Sequence, residues 1–519
     1  MSGNHEVSMN GAESLLRTLL AGGIDTCFAN PGTSEMHFVA ALDRAPGMRA
    51  VLCLFEGVAS GAADGYARMT GRPAATLLHC GPGLGYAVTN LHNARRAASP
   101  IVNIVGDQAT YHRPLDPPLA SDIEQLARPF SHWVRTAASA STLGADAAAA
   151  IECARTSPGR IATLVAPSDT AWDEGGQIAE VKTPVPPARA SQHQVDEIAR
   201  LLRSRQPVTM LLTGAALRDP ALAFAQAIAD TSGCKLIAEF TNGRYQRGSG
   251  RADVPRMPWG LDHARAALAD TRHLVLVGAR EPVAFFAHPG KPRRLIPDGC
   301  NVHILAEPEQ DLTDALAQLA DGLKAKPAAR AAPSRPSVPD GPITTEAVAR
   351  LLAALMPDQA IIVDESVSFG RGLFNATIGA PSHDWLHQTG GAIGGGPPLA
   401  TGAAIGAPGR RVISLQADGS AMYTPQALWT QAHERLDVTT IILANRKYAV
   451  LRGELDAVGA QPGPVALSML DIGRPDLDFV KLAGTMGVEA ARAETLSQLA
   501  DLLRNSCARS GPFLIELLI

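Results

Sequence analysis

A basic excess is missing from this chain: 46 lysines and arginines stand against 50 acidic residues, a formal net charge of −4. A nucleic-acid binder would carry the opposite footprint, so that class is set aside. Long apolar runs are missing too. No segment approaches the roughly 18 consecutive apolar residues that a membrane span needs. The opening stretch MSGNHEVSMNGAES has no basic-then-apolar leader pattern. Cys27, Cys53, Cys80, Cys153, Cys234, Cys300 and Cys507 form no C-x-x-C pair. Reduced, mostly buried thiols and a cytoplasmic protein are therefore expected, and a zinc site is not. Aromatic residues are scarce at 4%, whereas Gly (48) and Pro (38) are plentiful. That balance favours many strand–loop–helix junctions over a coiled coil.

A length of 519 residues is too great for one core and suggests three or four domains. Two Pro/Ala-rich polar runs, Glu180–Ala190 and Lys324–Pro342, read as linkers. They leave pieces at 1–180, 190–325 and 343–519. Each piece alternates short β-branched runs with helical patterns: TCFAN, RAVLCLF, AATLLH and PIVNIVGD in the first, PVTMLLTG, KLIAEF, HLVLVGA and NVHILAE in the second, and AIIVDES, RRVISLQADG and TTIILANR in the third. Continuous apolar strands separated by helices predict mainly parallel sheets, and so an α/β chain of three Rossmann-like domains. Ligands of such sheets bind beyond the carboxyl ends of the strands. Asn30, Glu56, His79, Asp364, Asp418 and Asn445 all close apolar runs and belong on that edge.

The segment from Leu415 to Arg452 carries the strongest signal. A strand ends at Ala417, Asp418-Gly419 turns, a helix follows from about Pro425, and a second strand delivers Asn445. A carboxylate and an amide oxygen at one sheet edge suit Mg²⁺. Backbone N–H groups at Gly419 and Ser420 suit a diphosphate. The pattern resembles the thiamine-diphosphate (ThDP) enzymes, whose hallmark is Gly-Asp-Gly followed about two dozen residues later by Asn-Asn. Within them it looks most like the benzoylformate decarboxylase and acetolactate synthase branch. The resemblance makes Asp418, Asn445 and the carbonyl of Lys447 the metal ligands and places Tyr448 with the cofactor. Ala417 and Ala444 depart from the hallmark at positions that are not ligands.

Further stretches carry the same resemblance. Glu56-Gly57-Val58-Ala59, leading into Ala63-Asp64-Gly65-Tyr66-Ala67-Arg68, matches the family's activating glutamate, which hydrogen-bonds the cofactor's aminopyrimidine ring. A carboxyl so placed is partly desolvated and able to exchange a proton near neutrality. In Asn30-Pro31-Gly32-Thr33-Ser34-Glu35, Thr33 stands where benzoylformate decarboxylase has a substrate-contacting Ser; His79 matches that enzyme's catalytic His, which acetolactate synthases lack. Gly391 would hold the aminopyrimidine by its carbonyl, Ile393 would wedge the cofactor into its bent form, and Ser368 would touch the diphosphate. A second catalytic His is expected, with His288 and His387 as candidates.

The resemblance implies a pyrimidine-binding, a central and a diphosphate-binding domain, with each active site shared across a homodimer or homotetramer. It implies non-oxidative decarboxylation of a small 2-oxo acid through an enamine, with carboligation as a second outcome. An acetolactate synthase-like carboligase is the alternative, and FAD in the central domain stays open although no motif demands it. A catalytically silent relative is the reading that the two Ala departures would favour.

Overall fold

The computed structural model describes residues 9–326, 334–377 and 379–519. The first sheet contains β1 (Thr26–Asn30), β2 (Arg49–Leu52), β3 (Ala74–Leu78), β4 (Ile101–Asp107), β5 (Trp133–Thr136) and β6 (Ile161–Pro167) in the order 2-1-3-4-6-5. All its pairings are parallel. The second is formed by β7 (Val208–Leu212), β8 (Lys235–Ala238), β10 (His273–Val277) and β11 (Asn301–Ala306) in the order 11-10-7-8, again parallel. The third contains β12 (Ile361–Glu365), β13 (His383–His387), β14 (Val412–Ala417), β15 (Val438–Ala444), β16 (Glu489–Ala493) and β17 (Phe513–Leu518). With β9 (Arg244–Arg247) as its seventh strand, its order is 16-17-15-14-12-13-9.

The apolar runs read from the sequence all appear as strands; those inside the sheets, such as β3, β4, β7 and β15, are buried along their whole length, as parallel strands covered by helices on both faces must be. Strand β9 (Arg244–Arg247) was not foreseen. It lies within the stretch expected to form the middle piece, yet pairs antiparallel with β13 at the edge of the third sheet. Its sequence RYQR has no apolar run, which suits an edge strand and hides it from a periodicity search. The segment Glu180–Ala190 has no helix or strand, only an isolated bridge from Ala188 to Gln310. Of the second expected linker, residues 327–333 lie outside the described residues. No helix among the described residues is long and apolar enough to cross a membrane.

The first and third sheets meet in the same chain through two small-residue helices, Glu56–Thr70 and Gly396–Gly406. A Cβ added at Gly402 would lie 1.8 Å from the Ala62 carbonyl oxygen, and one at Gly65 would lie 2.1 Å from the Leu399 carbonyl oxygen. The helices therefore touch backbone to backbone, and neither contact can yield by turning a side chain. Arg68 crosses the same seam. It forms a two-pronged pair with Asp64 (2.6 and 2.8 Å) and donates to the carbonyls of His387 (2.6 Å) and Gly243 (3.2 Å). One guanidinium thus touches segments of all three sheets' units.

Gly402→Ala should force the helices apart at a cost of about 3 kcal/mol, the upper end for overpacking. The apparent melting temperature should fall by roughly 5 °C or more. An unchanged melting curve would contradict the backbone contact.

Candidate functional site

The first group of chemistry-bearing residues gathers where β1, β3 and β4 end. The turn after β1 winds into a short 3-10 helix, Thr33–Glu35, which folds the Glu35 side chain back so that it accepts from the Gly32 N–H at 2.7 Å. Glu35 is buried, and its carboxylate meets His79 Nδ1 at 3.0 Å. Ser34 Oγ lies 3.1 Å from the same nitrogen and 3.2 Å from Cys80 Sγ. An ionised carboxylate only accepts, so Nδ1 carries the hydrogen and Nε2 is the ring atom left for other chemistry. The His79 side chain retains 22% exposure, enough to meet a substrate. Thr33, expected to contact substrate, is exposed and adjoins this cluster without bonding to His79.

Glycines make room for the pair. A Cβ at Gly32 would fall 2.2 Å from the His79 ring, and one at Gly106 would fall 1.6 Å from Glu35 Oε1. Cys80 follows with φ of 51°, a left-handed conformation unusual for a residue with a side chain. The ligand atoms of Glu35, His79 and Cys80 lie within 4.8 Å of one another. Burial pushes the Cys80 thiol up to about 11, so it stays protonated and behaves as buried filler.

Glu56 opens its helix and is 6% exposed. Its carboxylate has no hydrogen-bond or ion-pair partner among the described residues. Gly83 clears the space before it, since a Cβ there would lie 2.8 Å from Glu56 Oε1. An acid at once buried and unpartnered is poised to meet a donor from outside the chain.

The second group sits at the carboxyl edge of the third sheet. β14 and β15 are adjacent and parallel, with Ala417 opposite Leu443, so Asp418 and Asn445 emerge side by side. Asp418 is 3% exposed, is in no salt bridge among the described residues, and is pushed above its ordinary carboxylate range by burial. Its Oδ2 accepts from the Arg446 N–H at 2.6 Å, which ties the two strand-end loops together. Its Oδ1 accepts from the Gly419 N–H at 2.8 Å. That N–H, expected to be free for a diphosphate, is therefore taken, because a buried carboxylate draws in the nearest donor. Ser420 Oγ is likewise occupied, donating to Ala417 O and accepting from Gln416. The Lys447 carbonyl accepts from the Ala449 N–H at 2.9 Å and keeps a second lone pair, and Asn445 Oδ1 accepts from the Lys447 N–H at 3.0 Å. The Tyr448 ring packs on Gly419, where a Cβ would lie 2.5 Å away. An uncompensated buried carboxylate beside amide and carbonyl oxygens is a donor set that fits a hard divalent cation. The two departures are harmless: Ala417 has φ of −72° and needs no glycine, while Ala444 is buried in β15 and packs.

Gly391 and Ile393 lie in the loop after β13. Gly391 has φ of 75°, and a Cβ there would also meet the Phe285 ring at 2.6 Å. Asn93 grips this loop, donating to Ala392 O (2.8 Å) and accepting from the N–H groups of Gly390 and Ala392 (3.2 and 3.3 Å). The Gly391 carbonyl accepts nothing from the described residues. Ile393 is half-buried behind it. Buried Glu365, pushed above its ordinary range by burial, accepts from the N–H groups of Gly394 (2.5 Å) and Gly396 (2.6 Å). Ser368 is half-buried and its hydroxyl has no partner among the described residues.

The two candidate second histidines differ. His387 is held well below its ordinary value, first by burial and then by Arg256 and Arg68, and its Nδ1 is buried without a partner. It is neutral at pH 7 and poorly suited to deliver a proton. His288 sits on the loop that carries Phe285, and its Nε2 meets Glu454 Oε1 at 2.7 Å. Glu454 belongs to the helix Ala449–Val458 that follows Tyr448, so this pair spans from the middle unit to the third.

Sequence reasoning passed over Glu35, Ser34, Asn93, Glu365 and Glu454 as working residues. Gly106 inside the apolar run of β4 was the available signal for Glu35, since an isolated strand glycine marks a close approach.

Comparison with known proteins fits this geometry. Residues 9–127 match the thiamine pyrophosphate enzyme N-terminal TPP binding domain, and 374–517 match its C-terminal TPP binding domain. The chain is 52% identical over 516 residues to a Mycobacterium tuberculosis protein named "Putative acetolactate synthase large subunit IlvX", covering 98% of this chain and 99% of that one. It is 31% identical over 526 residues to benzoylformate decarboxylase of Pseudomonas aeruginosa, covering 95% and 96%. The Rhodococcus jostii thiamine diphosphate-dependent 4-hydroxybenzoylformate decarboxylase superposes with a TM-score of 0.83 at 26% identity, covering 98% of each chain. The matched ranges contain both groups of residues described above, and on that ground the chain belongs to the thiamine pyrophosphate enzyme family.

Proposed function

We propose that this chain is a ThDP- and Mg²⁺-dependent decarboxylase of 2-oxo acids that releases an aldehyde. The observation that carries the reading is the hydrogen bond between part-exposed His79 and buried Glu35 at the edge of the first sheet. Bound ThDP supplies the electron sink for breaking the bond between the carbonyl carbon and the carboxylate. The chain's own residues do the rest. Asp418, Asn445 and the Lys447 carbonyl would hold Mg²⁺, and Ser368, Gly419, Ser420 and Tyr448 would border the diphosphate. Gly391 would offer its carbonyl to the aminopyrimidine, with Ile393 beside it. Glu56, buried and without a partner among the described residues, would hold the cofactor's aminopyrimidine ring by a hydrogen bond and is the acid available for proton exchange there. Glu35 accepts from the Nδ1–H and so favours a ring that also carries a proton on Nε2; that second proton would pass to the carbon that carbon dioxide leaves, returning His79 to its neutral Nδ1–H form. Thr33 lies beside the substrate, and His288, held by Glu454, is the second histidine.

The two groups are not joined by any hydrogen bond or ion pair within the described chain, which supports an active site completed by a second copy. Exposed apolar residues flank both groups: Tyr86, Tyr111 and Leu115 on the first unit, and Tyr423, Leu451 and Met469 on the third. Such exposure calls for a covering surface. The protein should therefore sediment as a dimer or tetramer; an active monomer in analytical ultracentrifugation would contradict this. A carboligase of the acetolactate synthase kind is the second reading, favoured by the name of the 52% identical relative.

Asp418→Ala removes the only acidic metal ligand, so gel filtration in Mg²⁺ buffer should strip the variant of ThDP; stoichiometric retention would overturn the ligand assignment. His79→Ala should slow aldehyde release about 100-fold. It should also raise the share of ligated 2-hydroxy ketone when an acceptor aldehyde is present. Glu35→Gln, which keeps the contact but loses the charge, should shift the ratio the same way by less. An unchanged product ratio in both variants, read by chromatography, would reduce the pair to a structural role.

A further inference from the structure

The cluster where β1 and β3 end holds four donor atoms of mixed chemistry in one small volume. Ser34 Oγ lies 2.5 Å from Glu35 Oε1, 3.1 Å from His79 Nδ1 and 3.2 Å from Cys80 Sγ. His79 Nδ1 in turn lies 3.0 Å from Glu35 Oε2 and 3.8 Å from Cys80 Sγ. The carboxylate, imidazole and thiol atoms all fall within 4.8 Å of one another. The four atoms thus mark the corners of a distorted tetrahedron. A zinc ion with bonds of about 2.0–2.3 Å to O, N and S keeps its ligand atoms roughly 3.3–3.6 Å apart. The cluster needs to open by only a few tenths of an ångström to enclose one.

Zinc sites built on C-x-x-C pairs are absent from the sequence; here the ligand types come from two turns far apart in the chain, which the β1–β3 pairing brings together. The charge around the thiol favours a cation. After burial, Glu35 and Asp107 both oppose its ionisation. Asp107 is itself 1% exposed, and its Oδ2 is buried without a hydrogen-bond partner, facing Arg113 Nε at 3.1 Å. Cys80 keeps its thiol in the cluster although its backbone is left-handed, with φ of 51°. Without an ion the thiol is filler. A zinc ion displaces its proton, and carboxylate and thiolate together then balance the two positive charges. Mg²⁺ prefers oxygen ligands, which keeps this set apart from the one at Asp418.

We infer that Glu35, His79, Cys80 and Ser34 form an inhibitory site for Zn²⁺ or a cation of similar softness. The inhibitory part rests on the proton-donor role proposed for His79. On binding, zinc takes the lone pair of Nδ1, the hydrogen of the neutral ring moves to Nε2, and the thiol gives up its proton to solvent. The imidazole bound to zinc no longer becomes the doubly protonated ring that delivers a proton to carbon.

The test uses the holoenzyme with ThDP and excess Mg²⁺, which fill the cofactor site. Equilibrium dialysis against Zn²⁺ with elemental analysis should find one zinc per chain. Co²⁺ in its place should give a thiolate-to-cobalt charge-transfer absorption, which oxygen and nitrogen ligands alone do not produce. Cys80→Ala and the closer Cys80→Ser should both lose that band and bind zinc at least about tenfold more weakly. Without zinc, both variants should turn over an accepted 2-oxo acid at the parent's rate. Added Zn²⁺ should suppress aldehyde release in the parent and leave both variants active. The cobalt band needs no turnover, so it stands or falls apart from the decarboxylase reading. A parent that binds no zinc, a band that survives both substitutions, or equal zinc inhibition of parent and variants would overturn the inference.

Discussion

Arg68 and Asp64, one turn apart on the Glu56–Thr70 helix, are each only 3% exposed, and the arrangement of the site depends on them. Taking two charges out of water is costly, and a buried pair repays that only when its remaining donors are satisfied. Here Arg68 spends them on the carbonyls of Gly243 and His387, on either side of the β9–β13 pairing. Ser99 caps Asp64 from the first unit at 2.5 Å. The pair is therefore a positional lock, tying β13 and the loop that follows it to the helix that begins with Glu56. The glycine crossing at Gly65 and Gly402 sets the depth of the same contact.

From that seam the chemistry divides by electrostatic environment. Acids that need fixed geometry are bonded on every side: Glu35 by Gly32, Ser34 and His79, and Glu365 by Gly394, Gly396 and Gln416. Glu56 is left bare, and Asp418 takes only backbone N–H groups. Both are buried and neither has a cationic partner among the described residues, which supports the roles proposed for them.

Much of this was legible in the sequence where the constraint is local. Doubly covered parallel strands must be apolar, so the runs before Asn30, His79, Asp418 and Asn445 announced themselves, and each motif sits where its strand ends. What escaped depends on contacts between distant segments. Glu35 reads as one more polar residue in a turn until β3 brings His79, 44 positions later, to its carboxylate. Glu454 is an ordinary exposed-face helix residue until His288 arrives from the middle unit. Strand β9 has no apolar pattern because it is an edge.

The central claim is that His79 and Glu35 deliver a proton where carbon dioxide departs, so that an aldehyde leaves. The most direct measurement supplies the unmodified holoenzyme with a panel of 2-oxo acids, one at a time and without acceptor. Carbon dioxide and carbonyl products are then quantified together. The account predicts, for the accepted acids, one aldehyde for each carbon dioxide released. Carbon dioxide accompanied only by a ligated hydroxy-keto product, with no free aldehyde, would contradict it and assign the chain to the carboligases.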